Sequence, residues 1–136
     1  MPPLTRSLVK AALVWLVAGL MLGVVMQVPA AARLPLLRAA WPTYLHLVTV
    51  GWLTQLIIGV ALWLFPRHSA ARPRGSERLG WVTFGCLNLG LLLRLVGEPG
   101  RALGHDTSVA LLPSAVLQLV AVGAFVFNVW PRVRER

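Results

Sequence analysis

At 136 residues, 57% hydrophobic and with a mean hydropathy of +0.74, the chain is too apolar for a soluble domain and too short for more than one compact unit. Thirteen Lys and Arg against four Asp and Glu give a net charge of +9, yet charged residues make up only 12% of the chain. Arginines at the ends of apolar segments account for that charge, so a nucleic-acid role is not needed to explain it.

Four apolar runs reach the roughly 20 residues needed to cross about 30 Å of hydrocarbon. They predict helices over 7–28, 44–65, 79–97 and 108–130. The runs are continuous and do not alternate, which argues against transmembrane strands. The expected fold is all-α: residues 1–136 form a single integral membrane four-helix bundle, a multi-pass protein of the cell inner (plasma) membrane.

The first run follows Arg6 and Lys10 and has the outline of a signal peptide. Residues 28–33 are a weak cleavage match and the run is long, so it is read as a retained helix. The second begins just after Trp41 and Pro42 and carries His46 near its start. Residues 66–77 form a polar linker with Pro and Gly, and Ser76 is placed to cap the third helix. Cys86 lies inside that helix, where a small packing residue is the simplest reading. Residues 98–107 make the next linker, with Asp106 or Thr107 as the N-cap of the fourth helix. Pro113, about one turn further on, marks a delayed start or a kink.

Charge sets the expected orientation. The N-terminus (Arg6, Lys10), the second linker (Arg67, Arg72, Arg74, Arg78) and the C-terminus (Arg132, Arg134, Arg136) share one side, with nine cations. Arg33, Arg38, Arg94 and Arg101 give four on the other. The positive-inside rule then predicts both termini in the cytoplasm. Trp63, Trp81 and Trp130 fall at the inner interface and Trp41 at the outer one, as anchoring aromatics should.

Inside the spans the polar residues are few. Gln55, Asn88 and Gln118 lie near the middle of their helices, where amides hydrogen-bond across to neighbours. Gly51, Gln55 and Gly59 form a stripe that lets another backbone approach closely. A transporter would be expected to show an intramembrane carboxylate or a broken helix pair, and the predicted spans contain neither.

At about 100° per residue, His46 falls on the opposite face from Gln55. With Val50, Leu53, Ile57 and Val60 it makes a second stripe, one imidazole above an aliphatic wall. That suits the axial nitrogen and apolar slot of a heme. It equally suits an interfacial histidine that bonds near the headgroups, and spacing alone leaves both readings open.

The stretch from Tyr44 to Arg67, with its histidine, Gly-Trp-Leu, recurring glycine and terminal Phe-Pro-Arg, resembles the second helix of heme-copper oxidase catalytic subunits. The pattern is most similar to nitric oxide reductases and high-affinity cytochrome-c oxidases. The segments from Arg72 to Trp81 and from Asn88 to Pro99 resemble small four-helix proteins grouped with that superfamily. The likeness covers the second and third helices. It implies that His46 is an axial ligand of a low-spin heme b on the outer side, in a protein serving respiratory electron transfer. Arg94 would answer a heme propionate or pair with Glu98, and His105 or a neighbouring protomer would give the second ligand. Departures are equally plain: four helices instead of about twelve, and three histidines (His46, His68, His105) with no pair at metal-ligand spacing within the membrane. A complete oxygen- or nitric-oxide-reducing centre is therefore not expected in one chain. The alternative is a cofactor-free accessory or assembly subunit of a respiratory oxidase or nitric oxide reductase complex. Oxidase subunits arrange their helices as three arcs of four, and this chain resembles one arc. A homo-oligomer is therefore expected, a trimer ahead of a dimer.

Overall fold

A computed structural model describes residues 1–65 and 75–133. The readings placed on Arg67, His68, Arg72, Arg74, Arg134 and Arg136 lie outside the described residues. Helix α1 spans Pro3–Gln27 and starts earlier than hydropathy predicts, because Pro3 sits in the first turn, where its missing N–H costs nothing. It stops where Pro29 forces Val28 into extended backbone, with φ −71° and ψ 120°. The connection that follows is not bare linker: it contains a 3₁₀ turn, Ala31–Arg33, and a short helix α2, Pro35–Arg38.

The second span is one continuous rod, Trp41–Leu64. It comprises α3 (Trp41–His46), a π-helical segment (Leu47–Thr54) and α4 (Gln55–Leu64). The wide winding is visible in the side chains, since Thr54 Oγ1 donates to the carbonyl five residues back, at Thr49, at 2.9 Å. π-Helical winding is rare, is usually limited to a single turn and is frequent beside functional sites; here it begins directly after His46.

Helix α5 covers Glu77–Ala102, and Ser76 caps it as expected, its Oγ accepting from Leu79 N at 3.4 Å. The helix runs past the predicted end at residue 97, so Glu98 and Pro99 are not linker. Both are buried in its last turns. Pro99 forfeits one backbone bond, but its carbonyl accepts from Leu103 N at 3.0 Å, and Thr107 Oγ1 satisfies the Gly97 carbonyl at 2.8 Å. Helix α6, Ser108–Val129, starts where predicted and accommodates Pro113 within it, ending in a 3₁₀ turn, Trp130–Arg132. Thr107 is the N-cap residue, but it is the Asp106 carboxylate that accepts Ser108 N, at 3.0 Å. That bond holds the Asp106 carboxyl below the ordinary carboxylate range.

Helices α5 and α6 pair along their length, and α1 lies along the π segment and α4. The glycine stripe is where α1 docks. A Cβ on Gly51 would stand 2.8 Å from Trp15 Cβ, and one on Gly59 3.0 Å from Leu8 Cβ. Between them Gln55 Nε2 donates to the Leu8 carbonyl at 3.3 Å. Trp15 Nε1 donates to Asn88 Oδ1 at 2.7 Å, which ties α1 to α5, and Ser114 Oγ ties α6 to α5 through the Gly90 carbonyl at 2.7 Å. The core is small and aliphatic: Leu4, Leu8, Ile58, Leu62, Leu87, Leu91, Ala121 and Val129. Cys86 packs against it, as a small core residue would.

At the far end of the bundle from His46, the Arg132 guanidinium is fully enclosed. Its Nη2 donates to the carbonyls of Leu62 at 3.2 Å and Phe65 at 2.7 Å. Those carbonyls end α4, so a cation from the 3₁₀ turn after α6 caps the second span.

The described residues contain no strand, and four of the helices are long and apolar enough to cross a membrane. Only 17–33% of each apolar span is buried within the chain, which leaves most of the helical surface for lipid or for other chains. Trp41, Trp63, Trp81 and Trp130 all stand exposed.

Candidate functional site

His46 closes α3, at the end of the bundle where α5 delivers Glu98. The Glu98 side chain is 7% exposed and that of His46 31%, so the pair straddles the bundle surface. His46 Nδ1 lies 2.9 Å from Glu98 Oε1 and 2.9 Å from the Pro42 carbonyl oxygen. A carbonyl oxygen has no hydrogen to give, and a carboxylate only accepts. Nδ1 must therefore carry the proton. In the neutral ring the lone pair is then on Nε2. No hydrogen bond reaches Nε2 among the described residues, and it is not an enclosed atom.

The same Glu98 oxygen is held from the other side by Arg94 Nη1 at 2.8 Å, one turn earlier on α5. Glu98 four residues after an arginine is the i,i+4 geometry that places both side chains on one helical face. Arg94 is in turn fixed from α6, its Nε donating to Gln118 Oε1 at 3.3 Å. The result is a chain of side chains from three helices, Gln118 to Arg94 to Glu98 to His46. Glu98 Oε2 and Gln118 Nε2 are buried without a partner among the described residues.

Two of the three residues read from sequence as a cofactor site are thus brought together. Arg94 reaches His46 through Glu98, and it takes the ion-pair alternative weighed above. His105 lies in the exposed connection between α5 and α6, at the same end, with its backbone N bonded to the Gly100 carbonyl at 3.0 Å. Its imidazole makes no contact with the cluster. Glu98 was read only as an ion-pair partner of Arg94 in a linker, because a proline at 99 reads as a helix end. It supplies a buried carboxylate within a helix long and apolar enough to cross a membrane, where the predicted spans contained none. Gln118 was read as interhelical glue, and the arginine it grips is what that reading left out.

The aliphatic wall below His46 divides. Val50 turns toward the core while Leu53 and Ile57 face outward, since the π segment turns less per residue than the 100° assumed for an α-helix. An apolar groove of about 420 Å³ runs between α1, α2, α3 and α5, but His46 does not line it. His46 and its Nε2 thus stand outside that groove. No group of three or more His, Cys, Asp or Glu that could hold a metal ion occurs among the described residues. No protein-family model, curated protein or solved structure matches the chain.

Proposed function

We propose that the protein is a heme-binding membrane protein of respiratory electron transfer in which His46 is an axial ligand of heme b. The observation that supports this reading is the state of the ring. Nδ1–H is committed to two acceptors, and the Nε2 lone pair is left accessible, which is the arrangement a metal-ligating imidazole requires. Bound heme would supply reversible one-electron chemistry at its iron. The chain's part is to present a single nitrogen in one tautomer.

In this reading the second ligand is another group at the membrane surface, either His105 or a histidine of a second copy. The reading includes a homo-oligomer, a trimer ahead of a dimer, with the site at a subunit boundary. The excess of cations at the termini and in the second linker supports cytoplasmic termini in the inner membrane, with His46 on the outer side.

The test is the oxidised and dithionite-reduced spectrum of protein expressed with ample heme and purified in mild detergent, with native mass measured on the same sample. A Soret band that His46→Ala removes while helicity and insertion persist is the expected result. Wild-type protein without a Soret band refutes the reading, and the cofactor-free accessory subunit of an oxidase or nitric oxide reductase complex replaces it. A strictly monomeric mass across several detergents refutes the shared site.

A further inference from the structure

We infer that Glu98 is the positioning residue of this site: it locks the His46 tautomer and lends its negative charge to Nε2, with Arg94 and Gln118 holding it in place. The inference rests on the heme reading for its consequence, though not for its geometry.

Three observations carry it. The first is competition at Nδ1. The Pro42 carbonyl could orient the ring alone, but it is neutral, whereas Glu98 Oε1 at the same 2.9 Å carries charge. A carboxylate on the far nitrogen of a ligating histidine fixes the ring and raises its basicity.

The second is how much structure is spent on that one oxygen. Arg94 and His46 converge on Oε1 from two helices, and α6 contributes Gln118 to keep Arg94 in register. The third is what stays unsatisfied. Glu98 Oε2 is buried with no donor among the described residues, so hydrogen bonds do not quench the carboxylate on that side. A buried charge left half-satisfied is a poor stability device compared with an apolar side chain of similar size. Each such group in a native structure calls for another explanation. Here it is the electrostatic field placed on His46.

The charge and the hydrogen bond can be separated. Glu98→Gln keeps a side-chain oxygen of the same reach and removes the charge, while Glu98→Leu removes both. The first measurement uses heme-free protein in lipid nanodiscs, with ¹⁵N-labelled histidine at a pH where the ring is neutral, and identifies the His46 tautomer. Wild type and Glu98→Gln are expected to protonate Nδ1, and Glu98→Leu to shift toward Nε2–H. The second measurement is heme affinity and midpoint potential. Both variants are expected to bind heme roughly 10- to 100-fold more weakly, the range for loss of an outer partner of a metal ligand. Both should raise the potential, because the lost negative charge had favoured the oxidised iron.

An Nε2–H tautomer in wild type overturns the proposal, as does Glu98→Gln with unchanged affinity and potential. Glu98→Gln is the isosteric control should Glu98→Leu fail to fold. Wild type that binds no heme but shows Nδ1–H, lost in Glu98→Leu, refutes the heme reading and leaves the positioning role standing.

Discussion

Replacing Arg94 by Leu should be more damaging than replacing Arg94 and Glu98 together. In the single variant Glu98 keeps its charge at 7% side-chain exposure and loses its nearest counter-ion, 2.8 Å away. Removing one partner of a buried pair typically costs 3–5 kcal/mol. Two features reduce that figure. The Arg94 side chain is itself 19% exposed, and His46 Nδ1 still donates to the same carboxylate oxygen. One feature adds to it, because Gln118 Oε1 loses its donor and an unsatisfied buried acceptor costs about 1 kcal/mol or more. The expected loss is about 3 kcal/mol. Arg94→Leu with Glu98→Leu removes both charges and should recover about half of it, leaving only the stranded glutamine and imperfect packing. Reversible unfolding in mixed micelles, followed by tryptophan fluorescence, gives the four corners of the cycle. If Arg94→Leu lies within 0.5 kcal/mol of wild type, or the double variant is worse than the single, the cluster is not the charge-balanced unit described here.

Other expectations follow from the packing, the capping and the charge distribution. Gly51→Leu drives a side chain into Trp15, whose Cβ would lie 2.8 Å from the new Cβ, and should cost about 1–3 kcal/mol. A changed Trp15 emission checks it, whereas Gly85→Leu, with nothing within 4 Å, should be nearly silent. Because Asp106 accepts Ser108 N, its folded-state pKa is lowered from the model-compound value of 3.8. Its contribution to the α6 start is present above 3.8 and is lost as pH falls through the folded value. Protection of the Ser108 amide, relative to its intrinsic exchange rate, should therefore fall only below pH 3.8, and Asp106→Asn should abolish that pH dependence. For orientation, Ser69→Cys in a Cys86→Ser background should react with an impermeant maleimide only after cells are permeabilised. Labelling from outside would reverse the topology.

Hydropathy alone located the four spans, because twenty apolar residues in water have no other resting place. Ser76 as a cap and the Gly51, Gln55, Gly59 stripe were legible for a similar reason: each depends on local spacing on a single helix. The place of Glu98 inside the helix, within reach of His46, was not legible, and the cause is specific. Pro99 signals a helix end, yet the stop is deferred because the last turn of α5 is buried and rebonded through Thr107 and Leu103. The i,i+4 spacing of Arg94 and Glu98 was legible and gave the ion-pair alternative, though Arg101, three residues after Glu98, offered a second cation at helical spacing. The π segment, which packs against α1, was beyond reach, because such winding has no signature in composition. With it went the orientation of Val50, Leu53 and Ile57.

The cap that Arg132 places on the Leu62 and Phe65 carbonyls has a consequence for how the protein is made. The second span is synthesised first, and the guanidinium that finishes it follows Phe65 by 67 residues. Until Arg132 has been made and folded back, the carbonyl end of that span has to be served by water or headgroups. Closure of the bundle at that end therefore waits on the fourth helix and the turn that follows it. A nascent chain arrested before Arg132 would leave that end still ajar.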